Sequence, residues 1–286
     1  MRPARPRCWI PPPRQLACRA LLAAGLTVSG LAQATPPAPT EGCGLLWQIA
    51  VRLNEQPRQL QVHLRFNPGA RQQTTLRLPA GWEALQAIAA SDVPTQVGAP
   101  VAQAVPGAPA LRTVVHPPAV PVHLAWQLTP AAADGQGSTV QLAARWLAFS
   151  GAGLLPMPDE DDERNHGAAC VQVSGLPADS RWASSHGAAE GDEVLWRIAP
   201  GPAPLSVRVQ QALYAGGALQ IATQGPTGGQ VSAVMPAGAG WRFDAGQLAQ
   251  AGAEALAAQR RQWGDTDPMP PWLLLTKSAN ETSIMK

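Results

Sequence analysis

Apolar and polar residues alternate along the segment QLQVHLRF, residues 59–66. This period of two is typical of a β-strand with one buried face. The preceding segment LLWQIAVRL reads as a partner strand, and the turn Asn67-Pro68-Gly69 follows the pair. The pattern places Leu60, Val62, Leu64 and Phe66 on the buried side, and Gln61, His63 and Arg65 on the polar side.

Further short apolar segments follow at close spacing, separated by Pro and Gly. They predict an antiparallel β-sandwich over residues 45–222. In the segment LSVRVQQALYA, Leu205, Val207 and Val209 again show period two and predict a strand. The segments are TTLRLP, PVHLAWQLTP, VQLAARWLAF, CVQV, VLWRIA and LSVRVQQALYA, with weaker indications at Val97–Val105 and Leu111–Val115.

The pattern changes after about Thr223. VSAVMP and GWRF predict brief strands, and residues 244–263 predict the clearest helix, with Asp244 as its N-cap and Gly264 at its end. The apolar run Trp272–Leu275 then predicts one more strand, at a sheet edge or poorly covered. The fold class is therefore mainly β: an antiparallel sandwich, then a small partial α+β segment (223–275) with one clear helix, and a polar tail (276–286).

Residues 1–34 have the organisation of a signal peptide. A basic start is followed by the apolar run Ala20–Ala32 and by small residues at Ala32 and Ala34. A Pro-rich linker (35–44) leads into the sandwich. Removal of the five arginines of the leader would change the formal net charge from +2 to −3, which weakens any nucleic-acid interpretation. We therefore expect a periplasmic or secreted protein, cleaved near Ala34, with no transmembrane segment in the mature chain.

The mature chain would keep two cysteines, Cys43 and Cys170. In an exported protein the simplest expectation is that they form a disulfide, and two separate buried thiols are the alternative.

The residues that could carry chemistry are scattered. His63 and His123 are predicted on the solvent side of strands, His116 precedes two prolines, and His166 and His186 lie in Gly-containing turns. No pair has helical ligand spacing, and the sequence contains neither HExxH nor GxSxG. The acidic run Asp159–Glu163 could hold calcium, but it lacks the EF-hand pattern and more simply forms a solvated loop. No catalytic, metal or cofactor residue is assigned, and no cofactor is expected.

Several motifs together resemble a known family. WLAFSGAGLLPMP followed by CVQVSGLPADSRWASSHG, and then LYAGG, GWRF, RRQWGD and PPWLLL, resemble the N-terminal β-domain and the start of the catalytic domain of glycyl-aminopeptidase-like zinc metallopeptidases. The likeness extends over about residues 45–275. In that family further strands and an HExxH helix follow the segment that resembles Trp272–Leu275, and no zinc ligand can be carried over to this sequence.

The resemblance implies an exported, non-catalytic relative, truncated or degenerate, that retains at most a surface for a peptide or protein partner. The chain is therefore expected not to be an enzyme by itself. A metallopeptidase completed by a partner chain is the alternative in which it would take part in catalysis. A carbohydrate- or surface-binding module that uses exposed tryptophans is another alternative.

Overall fold

The computed structural model describes residues 42–82, 88–89, 101–130, 139–159, 168–190, 193–198, 201–226, 229–238, 240–265 and 272–275. All of them belong to one unit, Thr40–Lys286; the other unit, Met1–Pro39, lies outside the described residues. The predicted signal peptide, most of the linker, the polar tail, His166 and residues 160–163 also lie outside them.

The described residues form eighteen strands and three helices, and the protein is mainly β with largely antiparallel sheets, as predicted. Sheet 1 has six strands in the order β14-β11-β1-β2-β7-β4, and β1 and β11 are its parallel pair. Its strands are β1 (Leu45–Arg52), β2 (Gln59–Phe66), β4 (Ile88–Ala89), β7 (Val122–Leu128), β11 (Ala169–Ser174) and β14 (Glu193–Ile198).

Two further antiparallel sheets complete the sandwich region. Sheet 2 has the order β10-β3-β6-β5, and sheet 3 has the order β13-β12-β15-β9-β8. Sheet 2 consists of β3 (Gln73–Arg77), β5 (Val101–Val105), β6 (Ala108–Val115) and β10 (Met157–Pro158). Sheet 3 consists of β8 (Val140–Leu142), β9 (Trp146–Ser150), β12 (Arg181–Ser184), β13 (Gly187–Glu190) and β15 (Leu213–Gly217).

One apolar core joins these three sheets. The predicted inner face of β2 is buried as expected, and it packs with side chains from the other two sheets. Burial of several large side chains here supplies the main stabilising term, about 1.5–3 kcal/mol for each fully buried one. The core includes Trp47, Leu60, Val62, Leu64, Phe66, Leu76, Val114, Trp126, Phe149, Trp182 and Tyr214.

Sheet 4 contains β16 (Leu219–Gln224), β17 (Val231–Pro236) and β18 (Trp272–Leu275). One of its faces packs on alanines of sheet 3, through Leu219 and Val234. Its other face packs on the long helix α3 (Ala245–Trp263), through Ala233 and Met235. Among the described strands β18 lies at the edge, as predicted, and it pairs in parallel with β17.

The strand predicted at Leu205–Val209 is wrong. This segment is helix α2 (Leu205–Gln210), and α1 (Gly151–Leu154) lies against it. Leu205 and Val209 are four residues apart, so the same two buried positions satisfy both a strand period and one helical turn. The strand predicted at GWRF is wrong as well, because residues 241–244 form an irregular segment that ends at the N-cap of α3.

Candidate binding pocket

A pocket of about 360 Å³ lies at the start of helix α3, beside strands β16 and β17. A volume of this size is at the small end of the range for ligand sites. The wall combines aromatic, charged and amide side chains with two glycines. The lining residues are Gln220, Met235, Pro236, Gly238, Gly240, Trp241, Arg242, Phe243, Asp244 and Gln247.

The backbone around the pocket is fixed by turn and cap residues. Gly238 and Gly240 have φ of 74° and 71°, a left-handed conformation that favours glycine. They let the chain turn from β17 into the segment that carries Trp241. The Asp244 carboxylate then accepts from the Gln247 backbone N–H at 2.8 Å, and the Asp244 N–H donates to Gln247 Oε1 at 3.0 Å. This capping box holds the segment against the first turn of α3.

The aromatic side chains give the pocket its chemistry. The rings of Trp241 and Phe243 lie 5.3 Å apart at an interplanar angle of 33°. Phe243 is 37% exposed, whereas Trp241 is partly buried against the α3 cluster. The indole Nε1 of Trp241 is buried and has no hydrogen-bond partner among the described residues. An unpaired buried donor costs free energy, and an acceptor that reached Nε1 after a shift of the Trp241 side chain would relieve that cost.

The two opposite charges at the rim come from Arg242 and Asp244, both exposed. A ligand with an apolar or flat surface, an acceptor for Trp241 and polar or charged ends would match the pocket. Sequence reasoning missed the site because it read GWRF as a strand. The sequence does contain a signal for this pocket: two glycines, an aromatic pair and a helix cap lie within residues 238–244.

The two cysteines assigned from the sequence are joined in the structure. Cys43 and Cys170 form a disulfide with a Cα–Cα distance of 5.8 Å, within the usual range. Both are buried, with Leu46 and the partly buried Leu195 packed beside them on sheet 1. The disulfide thus fastens the chain just before β1 to the neighbouring parallel strand β11 and is remote in sequence from the pocket.

The four described histidines occupy three different environments. His63 and His123 are half-buried on the polar side of sheet 1. They are less exposed than the sequence pattern predicted, since it placed both on the solvent side of their strands. His116 is buried, and its Nε2 lies 3.0 Å from the Thr74 hydroxyl. His186 is half-buried, its Nε2 has no partner among the described residues, and its ring lies 6.0 Å from that of Tyr214. Within the described ranges, no three His, Cys, Asp or Glu side chains form a group that could hold a metal ion.

Burial perturbs the ionisable groups around His186. Burial, and secondarily the charge of Arg208, lowers the pKa of His186. Burial raises the pKa of Tyr214, whose ring stacks on Phe149 at 4.8 Å and whose hydroxyl has no partner among the described residues. These groups belong to the aromatic part of the core, and the structure does not bring them into the pocket.

Of the acidic run, Asp159 lies within the described residues. Its carboxylate accepts from the Arg77 guanidinium at 3.3 Å, an exposed ion pair. Such a pair contributes less than about 1 kcal/mol. The remaining four acids lie outside the described ranges. No helix in the described part of the chain has the length and apolar character needed to cross a membrane.

Comparison with known proteins gives a fold relationship. No protein-family model matches the chain, and no curated protein matches it. A crystal structure of an aminopeptidase N family protein from Idiomarina loihiensis is similar, with a TM-score of 0.57 and 13% sequence identity. The similarity covers 80% of this chain but 38% of that one. The chain therefore shares its fold with part of an aminopeptidase N family protein.

Proposed function

We propose that the chain is a non-catalytic, exported module that binds a peptide or protein segment through the Trp241 pocket. It would be a degenerate relative of glycyl-aminopeptidase-like zinc peptidases. The aminopeptidase-like fold supports the relationship, and the leader pattern together with the disulfide supports export. The observation that carries the binding role is the aromatic pocket with its buried, unpartnered indole N–H.

A peptide carries apolar, hydrogen-bond acceptor and charged groups that match the side chains of this pocket. Its apolar side chain can lie against Trp241 and Phe243. Its backbone carbonyl can accept from Trp241 Nε1 if the indole shifts to expose that atom to the pocket. Its charged groups can pair with Arg242 or Asp244 at the rim. Each contact is modest, so we expect weak binding of short peptides.

The test is binding of a peptide panel by calorimetry to the wild type and to Trp241→Phe, which removes the N–H donor and keeps an aromatic ring. Loss of one hydrogen bond, about 0.5–1.5 kcal/mol, should weaken binding roughly two- to tenfold. Trp263→Phe is the matched control, since Trp263 is 80% exposed and does not line the pocket. Equal affinities of the two variants, or no binding by any peptide, would refute the proposal.

An oligosaccharide is the second candidate ligand. It is favoured by the exposed edge of the Trp241–Phe243 pair, because aromatic faces also stack on sugar rings. Quenching of tryptophan fluorescence by oligosaccharides, abolished in Phe243→Ala, would favour this role over peptide binding. For the alternative of a metallopeptidase completed by a partner chain, stoichiometric zinc or chelator-sensitive peptide hydrolysis would overturn the non-catalytic assignment.

A further inference from the structure

The Trp241 pocket contains two opposite charges that are not paired with each other. Arg242 and Asp244 both line the pocket, and they are two residues apart on the segment that leads into helix α3. The other lining side chains are neutral, so the lining has no net charge. Among the described residues, neither Arg242 nor Asp244 forms an ion pair. The pocket therefore presents one positive and one negative group separately.

Both charged groups can accept a further partner. The Arg242 guanidinium makes no hydrogen bond within the described ranges. Asp244 uses one oxygen, Oδ1, to accept from the Gln247 backbone N–H, and in the described part of the chain nothing donates to its other oxygen. Both side chains are exposed, so water solvates them in the free protein. An ion pair to such a group is worth up to about fivefold in affinity.

An amide side chain adds a neutral donor and acceptor to the same pocket. Gln220 on β16 is directly opposite Met235 on β17, and opposite residues of an antiparallel pair share one face of the sheet. Met235 packs on α3, so Gln220 lies on the face of sheet 4 that carries the helix. Its amide has no hydrogen-bond partner among the residues described. A glutamine amide can donate and accept, as a peptide group does.

We propose that the ligand of this pocket is a dipeptide with both termini free, an inference that rests on the proposed peptide-binding function. The carboxylate of the dipeptide pairs with Arg242, and its ammonium group pairs with Asp244. Its peptide group bonds to the Gln220 amide. One apolar side chain lies against the rings of Trp241 and Phe243.

The spacing of the two charges limits the length of the ligand. Two residues of extended chain span at most about 7 Å, so Arg242 and Asp244 leave the backbone at nearby points. The ends of a dipeptide are separated by a similar length, whereas the ends of a longer extended peptide are too far apart. A lone anion or cation meets one attractive and one repulsive charge here, but a dipolar ligand meets two attractive ones. The small volume, about 360 Å³, also favours a short ligand.

The experiment measures binding of leucyl-leucine to the purified protein by calorimetry at pH 6.5, where both ends of the dipeptide are ionised. The comparison ligands are leucyl-leucinamide, N-acetyl-leucyl-leucine and the five-residue peptide leucyl-triglycyl-leucine. We expect each to bind about two- to fivefold more weakly. The blocked dipeptides lose one ion pair, and the five-residue peptide must bend back to keep both, which costs entropy. Raising the pH to 9.5 should weaken binding of leucyl-leucine but not of its N-acetyl derivative.

Two variants assign the two ends of the dipeptide. Arg242→Gln should abolish the preference for leucyl-leucine over its amide and keep the preference over the N-acetyl derivative. Asp244→Asn should do the reverse, and it keeps α3 capped because asparagine is as good an N-cap as aspartate. Arg261→Gln is the matched control, since Arg261 is exposed in the last turn of the same helix and does not line the pocket. It should change the affinity less than twofold.

The outcomes separate this proposal from the proposed function. Equal affinity for leucyl-leucine and its two blocked derivatives would overturn the dipeptide assignment and leave the aromatic pocket as a site for apolar segments. Equally tight binding of the five-residue peptide, or of free leucine, which has no peptide group, would also overturn it. Preferences that persist in both Arg242→Gln and Asp244→Asn would place the charged ends elsewhere and refute it. If none of these ligands binds, both proposals fail.

Discussion

His186 shows how a single half-buried side chain couples stability to pH. Its pKa is lowered from 6.5 by burial and then by Arg208, and its ring faces Tyr214. The unfolded chain therefore binds a proton more readily than the folded chain below about pH 6.5. The free energy of unfolding is therefore unaffected by this titration above about pH 6.5. It decreases as the pH falls from there to the lower pKa of the folded state. His123, whose pKa is lowered as well, acts in the same direction.

We predict that His186→Gln makes the free energy of unfolding less dependent on pH between 7 and 5. Urea denaturation at several pH values measures this slope. Stability above pH 7.5 serves as the internal control, because the free energy of unfolding no longer varies with the histidine's titration there and the remaining difference between variants reports packing. A double variant that adds His123→Gln should flatten the slope further. An unchanged slope in both variants would show that neither histidine is perturbed as described.

At the scale of elements, α2 is the segment where the sequence pattern predicts one structure and the tertiary contacts stabilise another. Its alternation predicted a strand, yet Leu205 and Val209 are buried as one turn of a helix. The contact that decides this is with α1. A Cβ at Gly151 would lie 1.9 Å from the carbonyl oxygen of Val209, so the two backbones approach closely only because residue 151 is glycine.

We predict that Gly151→Ala destabilises the protein by about 1–3 kcal/mol, because the helices must separate or distort to admit the methyl group. Equilibrium denaturation measures the loss. Ala152→Ser is the matched control, since residue 152 belongs to the same helix and is exposed, and it should change stability by less than about 0.5 kcal/mol. If the two variants have equal stability, the close approach is not a constraint.

At the scale of the whole molecule, the disulfide joins cysteines that are 127 residues apart. The covalent loop that it closes contains all of sheet 2 and four of the six strands of sheet 1. Such a loop restricts the unfolded chain strongly. It also reinforces the parallel pairing of β1 with β11, at the centre of sheet 1.

Reduction, or the double variant Cys43→Ala/Cys170→Ala, should lower the free energy of unfolding by about 2–5 kcal/mol. Urea denaturation with and without reductant measures the difference. The double variant should not respond to reductant, which separates the disulfide from other effects of the reagent. A change below about 1 kcal/mol on reduction of the wild type would contradict this role.

The sequence by itself determined the fold class and many of the elements. Alternation marked β1, β2 and β7, and the capping residue Asp244 and terminal Gly264 marked α3, because these signals depend on neighbouring residues. The tertiary structure decided the rest. It selected helix over strand at Leu205–Gln210, since that pattern fits both periods and packing against α1 chooses between them. It also made the Trp241 pocket, because residues of β16, β17 and the start of α3 come together only when the sheet and the helix are assembled.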